Sequence, residues 1–81
     1  MKIYGYEKNN EDMIELNEIS IMSNINELKN LVSFLQNVVE SHSNVVGETE
    51  MCHSHLRDWD ENWDISQPDI IIATKFDNES E

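Results

Sequence analysis

His53-Ser54-His55 sets two imidazoles two residues apart. On a β-strand that spacing puts both rings on one face, where the pair can chelate zinc or another transition metal. A structural zinc site needs three or four protein ligands, and His42, Asp58 and Cys52 are the candidates to complete one. The chain has no CxxC, no HExxH and no second His-x-His pair. The competing reading leaves His53 and His55 on a solvated or partner-facing sheet surface.

The segment that follows, Asp58-Trp59-Asp60-Glu61-Asn62-Trp63-Asp64, resembles a calcium loop in part. Asp58, Asp60, Asn62, Asp64 and Asp69 fall at its first, third, fifth, seventh and twelfth positions. The sharp turn at the sixth position requires glycine, and Trp63 stands there. Calcium chemistry is therefore disfavoured. Trp59 and Trp63 among these acids suit a contact surface for a basic protein, because tryptophan is enriched at binding hot spots. Either ring can instead fold back to enlarge a thin core.

Catalysis finds little support. Cys52 is the only cysteine, and His53, its neighbour, points the other way on a strand. There is no glycine-rich phosphate loop, since the chain has two glycines in all. The expectation is a protein that is not an enzyme and carries no cofactor.

The elements that must position these residues are legible from periodicity. Residues 2–7 (Ile3, Tyr4, Tyr6) predict a strand, and residues 7–12, with Asn9-Asn10, a turn. Residues 13–22 predict a second strand whose alternation changes phase: Ile14 and Leu16 share one face, Ile19 and Ile21 the other. A bulge near Asn17-Glu18 would bring all four to the core. Asn24-Ile25-Asn26-Glu27 fits a helix-capping box, with Ser23 as the alternative cap. Ile25, Leu28, Leu31, Val32, Leu35, Val38 and Val39 then form one apolar stripe through about Ser41, with Phe34 widening it or lying outside. A loop is expected near residues 43–47 and a third strand over 48–57, with Cys52, Ser54 and Leu56 on one face. The fourth strand, 69–76, contains Ile70-Ile71-Ile72, a run suited to a central strand or to self-association.

The predicted fold class is α+β: a single helix packed on a four-stranded mixed sheet, element order β-β-α-β-β. Residues 1–76 form one domain and 77–81 a flexible acidic tail. At 81 residues the chain buries only about 60–65% of its unfolded surface, so self-association or a metal would help it.

Seventeen acids against five bases give a net charge of −12, of which −8 falls in residues 48–81. Such a field repels nucleic acid and anionic lipid and speeds encounter with a basic protein; it also promotes solubility. No run of apolar residues is long enough for a membrane span, and the opening MKIYGYEKNN has no signal-like stretch, so a cytoplasmic location is expected.

Three stretches together, EISIMSNINELKNLVSFLQNVVE, CHSHLRDW and PDIIIA, resemble the small immunity proteins of bacterial polymorphic-toxin systems, specifically the immunity protein 32 group. In that group a strand leads into a helix. A His-x-His strand with an aromatic or acidic loop follows, and a Pro-Asp-aliphatic strand closes the domain. The resemblance covers roughly residues 18–74. It implies a cytosolic inhibitor that neutralises a cognate toxin, often a nuclease. The contact residues expected on that reading are Asp58, Trp59, Asp60, Glu61, Trp63 and Asp64. The alternative is a homo-oligomeric metal-binding or sensing domain built on His53 and His55. A homodimer is compatible with both.

Overall fold

A computed structural model describes residues 1–44 and 51–76. The expected tail at 77–81, part of the loop at 43–47 and the first residues of the 48–57 strand lie outside the described residues.

The fold is α+β, in the order β1 (Ile3–Gly5), β2 (Ile14–Leu16), α1 (Ile25–Ser43), β3 (Met51–His55), α2 (Leu56–Trp59) and β4 (Ile71–Lys75). The four strands do not make one sheet. They form two separate antiparallel pairs, β1 with β2 and β3 with β4.

The first pair is a short hairpin with Ile3 opposite Leu16 and Gly5 opposite Ile14. Its turn uses Asn9 at φ 62°, a left-handed conformation that asparagine tolerates, and the Asn10 side chain accepts from the Asp12 N–H at 2.9 Å. The expected second strand stops six residues early, and no bulge occurs. Leu16 already faces the first residue of β1, so the ladder offers no partner to Asn17 and beyond. Ile19, Ile21 and Met22 are exposed instead. The phase change in the sequence marks the end of the strand.

The helix begins where the capping box places it. The Asn24 side chain accepts from the Glu27 N–H at 2.8 Å, and the Glu27 carboxylate accepts from the Asn24 N–H at 3.1 Å. Both are donors that a helix start otherwise leaves unpaired, so Asn24, not Ser23, is the cap. At the other end the Asn44 N–H donates to the Ser41 carbonyl.

The core takes only one margin of the expected stripe, with Phe34 added to it. Its fully buried members are Phe34, Val38 and Leu56, with Leu31, Trp59, Trp63, Ile70 and Ile72 packed around them. Phe34 is at the centre, whereas Ile25, Leu28, Val32, Leu35 and Val39 face outward. Only the Leu31–Val38 margin of the stripe meets the β3–β4 pair and α2. The cause is the small amount of covering material: two five-residue strands and one helical turn cover less than the whole apolar arc.

β3 and β4 pair from Met51 opposite Lys75 to His55 opposite Ile71. Cys52, Ser54, Ile72 and Thr74 are half-buried, while Met51, His53, Ile71 and Ala73 are exposed. The predicted parity of β3 is therefore present. The isoleucine run does not form a central strand; β4 pairs only with β3 among the described residues, and Ile71 is exposed.

The third strand also ends sooner than expected. Leu56 turns into α2 because its N–H donates to the Ile70 carbonyl at 2.8 Å and the next N–H, of Arg57, donates to the Asp69 carboxylate at 3.0 Å. Those two acceptors satisfy the first donors of the one-turn helix, and Leu56 drops into the core.

Candidate functional site

Asp69 organises the region that carries the acids and tryptophans. Its Oδ1 accepts from the N–H groups of Arg57 and Ile70, and its Oδ2 accepts from His55 Nδ1 at 2.8 Å. Burial pushes the Asp69 carboxyl up. The Arg57 N–H, the His55 hydrogen bond and charge, and the Ile70 N–H outweigh it, so the carboxyl lies below its ordinary value. An ionised carboxylate only accepts, which fixes Nδ1 of His55 as the donor and leaves Nε2 to face other groups.

From Asp60 to Asp69 the chain is a series of turns built by its own carboxylates. Asp60 accepts from the Asn62 N–H and from the Asn30 side chain of α1, tying the loop to the helix. Asp64 accepts from the N–H and hydroxyl of Ser66, and these two bonds hold its carboxyl below the usual range. Arg57 donates to the Gln67 carbonyl at 2.9 Å.

Both indoles fold back. Trp59 packs against Phe34 with ring centroids 5.7 Å apart, and Trp63 donates its indole N–H to the Pro68 carbonyl at 2.9 Å. Each ring is half-buried: part belongs to the core and part faces solvent. Around them Asp58, Glu61 and Asp64 are exposed and Asp60 is half-buried. Asp58 and Glu61 alone among these acids make no hydrogen bond that shapes the loop. The six expected contact residues, neighbours in the sequence, thus have different work in the fold: Asp60 and Asp64 build the loop, Trp59 and Trp63 pack back, and Asp58 and Glu61 are free of it.

Where α1, β3 and α2 meet, Phe34, Asn37, His53, Ser54, His55, Asp58 and Trp59 line an open recess of about 440 Å³. His53 and His55 share a wall of it, their rings edge to face at 5.8 Å between centroids. Of the expected additional metal ligands, His42 is unavailable. It is buried, with Nδ1 2.7 Å from the Thr74 hydroxyl and Nε2 2.9 Å from the Ser54 hydroxyl, so both ring nitrogens are engaged inside the fold. Cys52 is a half-buried free thiol. Among the described residues no three of His, Cys, Asp and Glu are grouped to hold an ion, and the partial calcium pattern does not converge, because Asp69 turns toward His55 and Arg57.

Family models, curated proteins and solved structures yielded no match to this chain. The arrangement must be read from its own chemistry. Sequence reasoning missed two of its members. Asp69 entered as a distant calcium ligand, although a carboxylate just before an aliphatic strand is also a common turn and cap residue. His42 entered as a metal ligand, although its spacing of four from Val38 and eight from Phe34 continues the buried face of the helix. Among the described residues, no helix is long and apolar enough to cross a membrane.

Proposed function

We propose that this chain is an immunity-type inhibitor that binds and neutralises a cognate basic bacterial toxin, with residues 58–64 as its contact segment. The observation that carries the reading is the display of Asp58, Glu61 and Asp64 to solvent around two half-exposed indoles. This display is held in place by turn hydrogen bonds and by the tie from Asn30 to Asp60. Pre-ordered carboxylates avoid the entropy of ordering a loop on binding, and their field steers a positively charged partner into contact. A nuclease cleft, basic because it accepts phosphates, is the kind of surface such a segment fits. The excess charge of residues 48–81 supports the same reading.

The test is co-expression with the product of the neighbouring open reading frame, scored as growth rescue. Asp58→Lys with Glu61→Lys leaves the turns intact, since neither carboxylate shapes them, and is expected to abolish protection while the circular dichroism spectrum is unchanged. Full protection by that double variant would end the assignment of this contact segment.

One observation favours a second reading, a homo-oligomeric metal-binding or sensing domain. Metal-ligating histidines characteristically donate their other nitrogen to a carboxylate, as His55 does to Asp69. With no third ligand grouped among the described residues, such an ion would need a second copy to complete its shell. Tag-free protein that retains no stoichiometric zinc, and melts identically with and without chelator, would dispose of it.

A further inference from the structure

The outward residues of α1 fall in an order that helix burial within one chain does not require. Ile25, Leu28, Val32, Leu35 and Val39 are spaced three, four, three and four apart, and they are 65%, 45%, 49%, 38% and 65% exposed. This is the a/d alternation of a heptad. Over residues 25–39 each a position (Ile25, Val32, Val39) is β-branched and each d position (Leu28, Leu35) is leucine, the choice that favours two parallel strands; the next d position, His42, turns into the chain's own core and ends the outward pattern. The surface also has the matching relief. Val32, Leu35, Gln36 and Val39 line a shallow apolar patch open to solvent. Residues i, i+3, i+4 and i+7 are the four corners of the hole that receives a leucine knob from a facing helix.

Charge decides what kind of occupant fits. The chain carries −12, but α1 contributes only Glu27, Glu40 and Lys29, and Glu27 is committed to the N-terminal cap. The positions beside the stripe are Lys29 and Gln36 on one flank, and Leu31 and Val38, which turn to the core, on the other. A basic partner is drawn to the acidic segment, which is tied to the Asn30 and Phe34 side of the helix, away from the stripe. Between two copies of this equally acidic chain, repulsion is least where the acids are fewest, as along this face of α1.

We infer that the outward heptad of α1 is a two-fold seam between two copies of this chain, the helices parallel, Leu35 of each seated in the Val32/Leu35/Gln36/Val39 hole of the other. The seam is independent of the proposed toxin-binding role and leaves residues 58–64 of both copies free.

Sedimentation equilibrium of tag-free protein from micromolar to millimolar concentration tests it. A reversible dimer is expected, and Leu35→Gln is expected to raise its dissociation constant at least about 100-fold, because both copies lose their central knob. Leu35 already touches water in the monomer, so the helical spectrum of the variant should be retained. In a Cys52→Ser background, Leu28→Cys should oxidise to a covalent dimer, since parallel a/d packing sets each d residue against its own copy. A wild-type chain that stays monomeric throughout, as it would if its own hairpin covered the stripe, overturns the seam. So does a Leu35→Gln dimer of unchanged affinity. A wild-type dimer in which Leu28→Cys fails to cross-link overturns the parallel arrangement.

Discussion

Replacing Asp69 by alanine should cost more than removing any other carboxylate of the acidic segment. The side chain is 18% exposed and accepts three hydrogen bonds, from the Arg57 and Ile70 N–H groups and from His55 Nδ1. Hydrogen bonds to a charged group are worth about 1.5–3 kcal/mol each, but the three donors lie near the surface and partly recover water, so the loss should be about 2–4 kcal/mol. An 81-residue domain has only about 4–12 kcal/mol in total, and the melting temperature should fall by roughly 10–25 °C. Asp69→Asn is the informative companion. Its amide oxygen still accepts from both N–H groups, and its NH2 replaces the oxygen facing His55, so the charge is lost and His55 must carry its proton on Nε2 to accept from the amide; it should cost about 1 kcal/mol.

Urea titration followed by tryptophan fluorescence measures both, because Trp59 and Trp63 flank the perturbed turn. Acid adds a sign. The folded-state value of the Asp69 carboxyl is depressed, so its stabilisation is fully present above the unfolded value of about 3.9 and disappears as pH falls through the folded value. The gap between wild type and Asp69→Ala should therefore narrow below about pH 4. A gap that widens on acidification, or an alanine variant no worse than the asparagine one, would refute Asp69 as the organiser of this turn.

Phe34→Ala removes a fully buried ring and should cost about 3–5 kcal/mol, leaving the domain largely unfolded by circular dichroism, whereas Val39→Ala at dilution should cost under about 1 kcal/mol. His42→Ala strands the Ser54 and Thr74 hydroxyls and should lower the unfolding free energy in urea by about 1–3 kcal/mol. Asn24→Ala removes the arm that accepts from the Glu27 N–H, while the backbone N–H of residue 24 can still donate to Glu27; it should cost about 1 kcal/mol, with amide exchange accelerated in the first turn of α1 and unchanged near Val38.

Local signals in the sequence translated well where a local interaction decides the outcome. Asn24 and Glu27 find each other within one turn, Asn9-Asn10 makes its turn alone, and the parity of Cys52, Ser54 and His53 follows from pleating. What failed was pairing between distant strands. Nothing in residues 1–22 specifies whether a hairpin joins β3 or stands as its own ladder, and three-residue strands supply too few bonds to make the choice visible. The contact segment was legible as composition, but its division of labour was not. Asp60, Asp64 and Asp69 are the same residue type as Asp58, and only the turn geometry separates carboxylates that build the loop from those left for a partner.

The helix shows why one apolar stripe can mislead. At about 100° per residue, the residues from Phe34 round to Ile25 cover about half of the helix circumference. Phe34, Val38, Leu31 and His42 take one part of that arc and pack inward. Ile25, Val32, Val39, Leu28 and Leu35 take the adjoining part, about 80° wide, and find nothing of their own chain to cover them. Periodicity measures how wide the arc is, not which part a thin two-stranded layer reaches. The uncovered part is also energetically modest. Five roughly half-exposed aliphatic side chains regain about 1 kcal/mol each on burial, or about 10 kcal/mol over two copies, against an association cost of about 4–15 kcal/mol. Those terms nearly cancel unless the a/d side chains interlock, so the seam should give a weak, concentration-dependent dimer whose affinity is set by the fit of Leu35 in its hole.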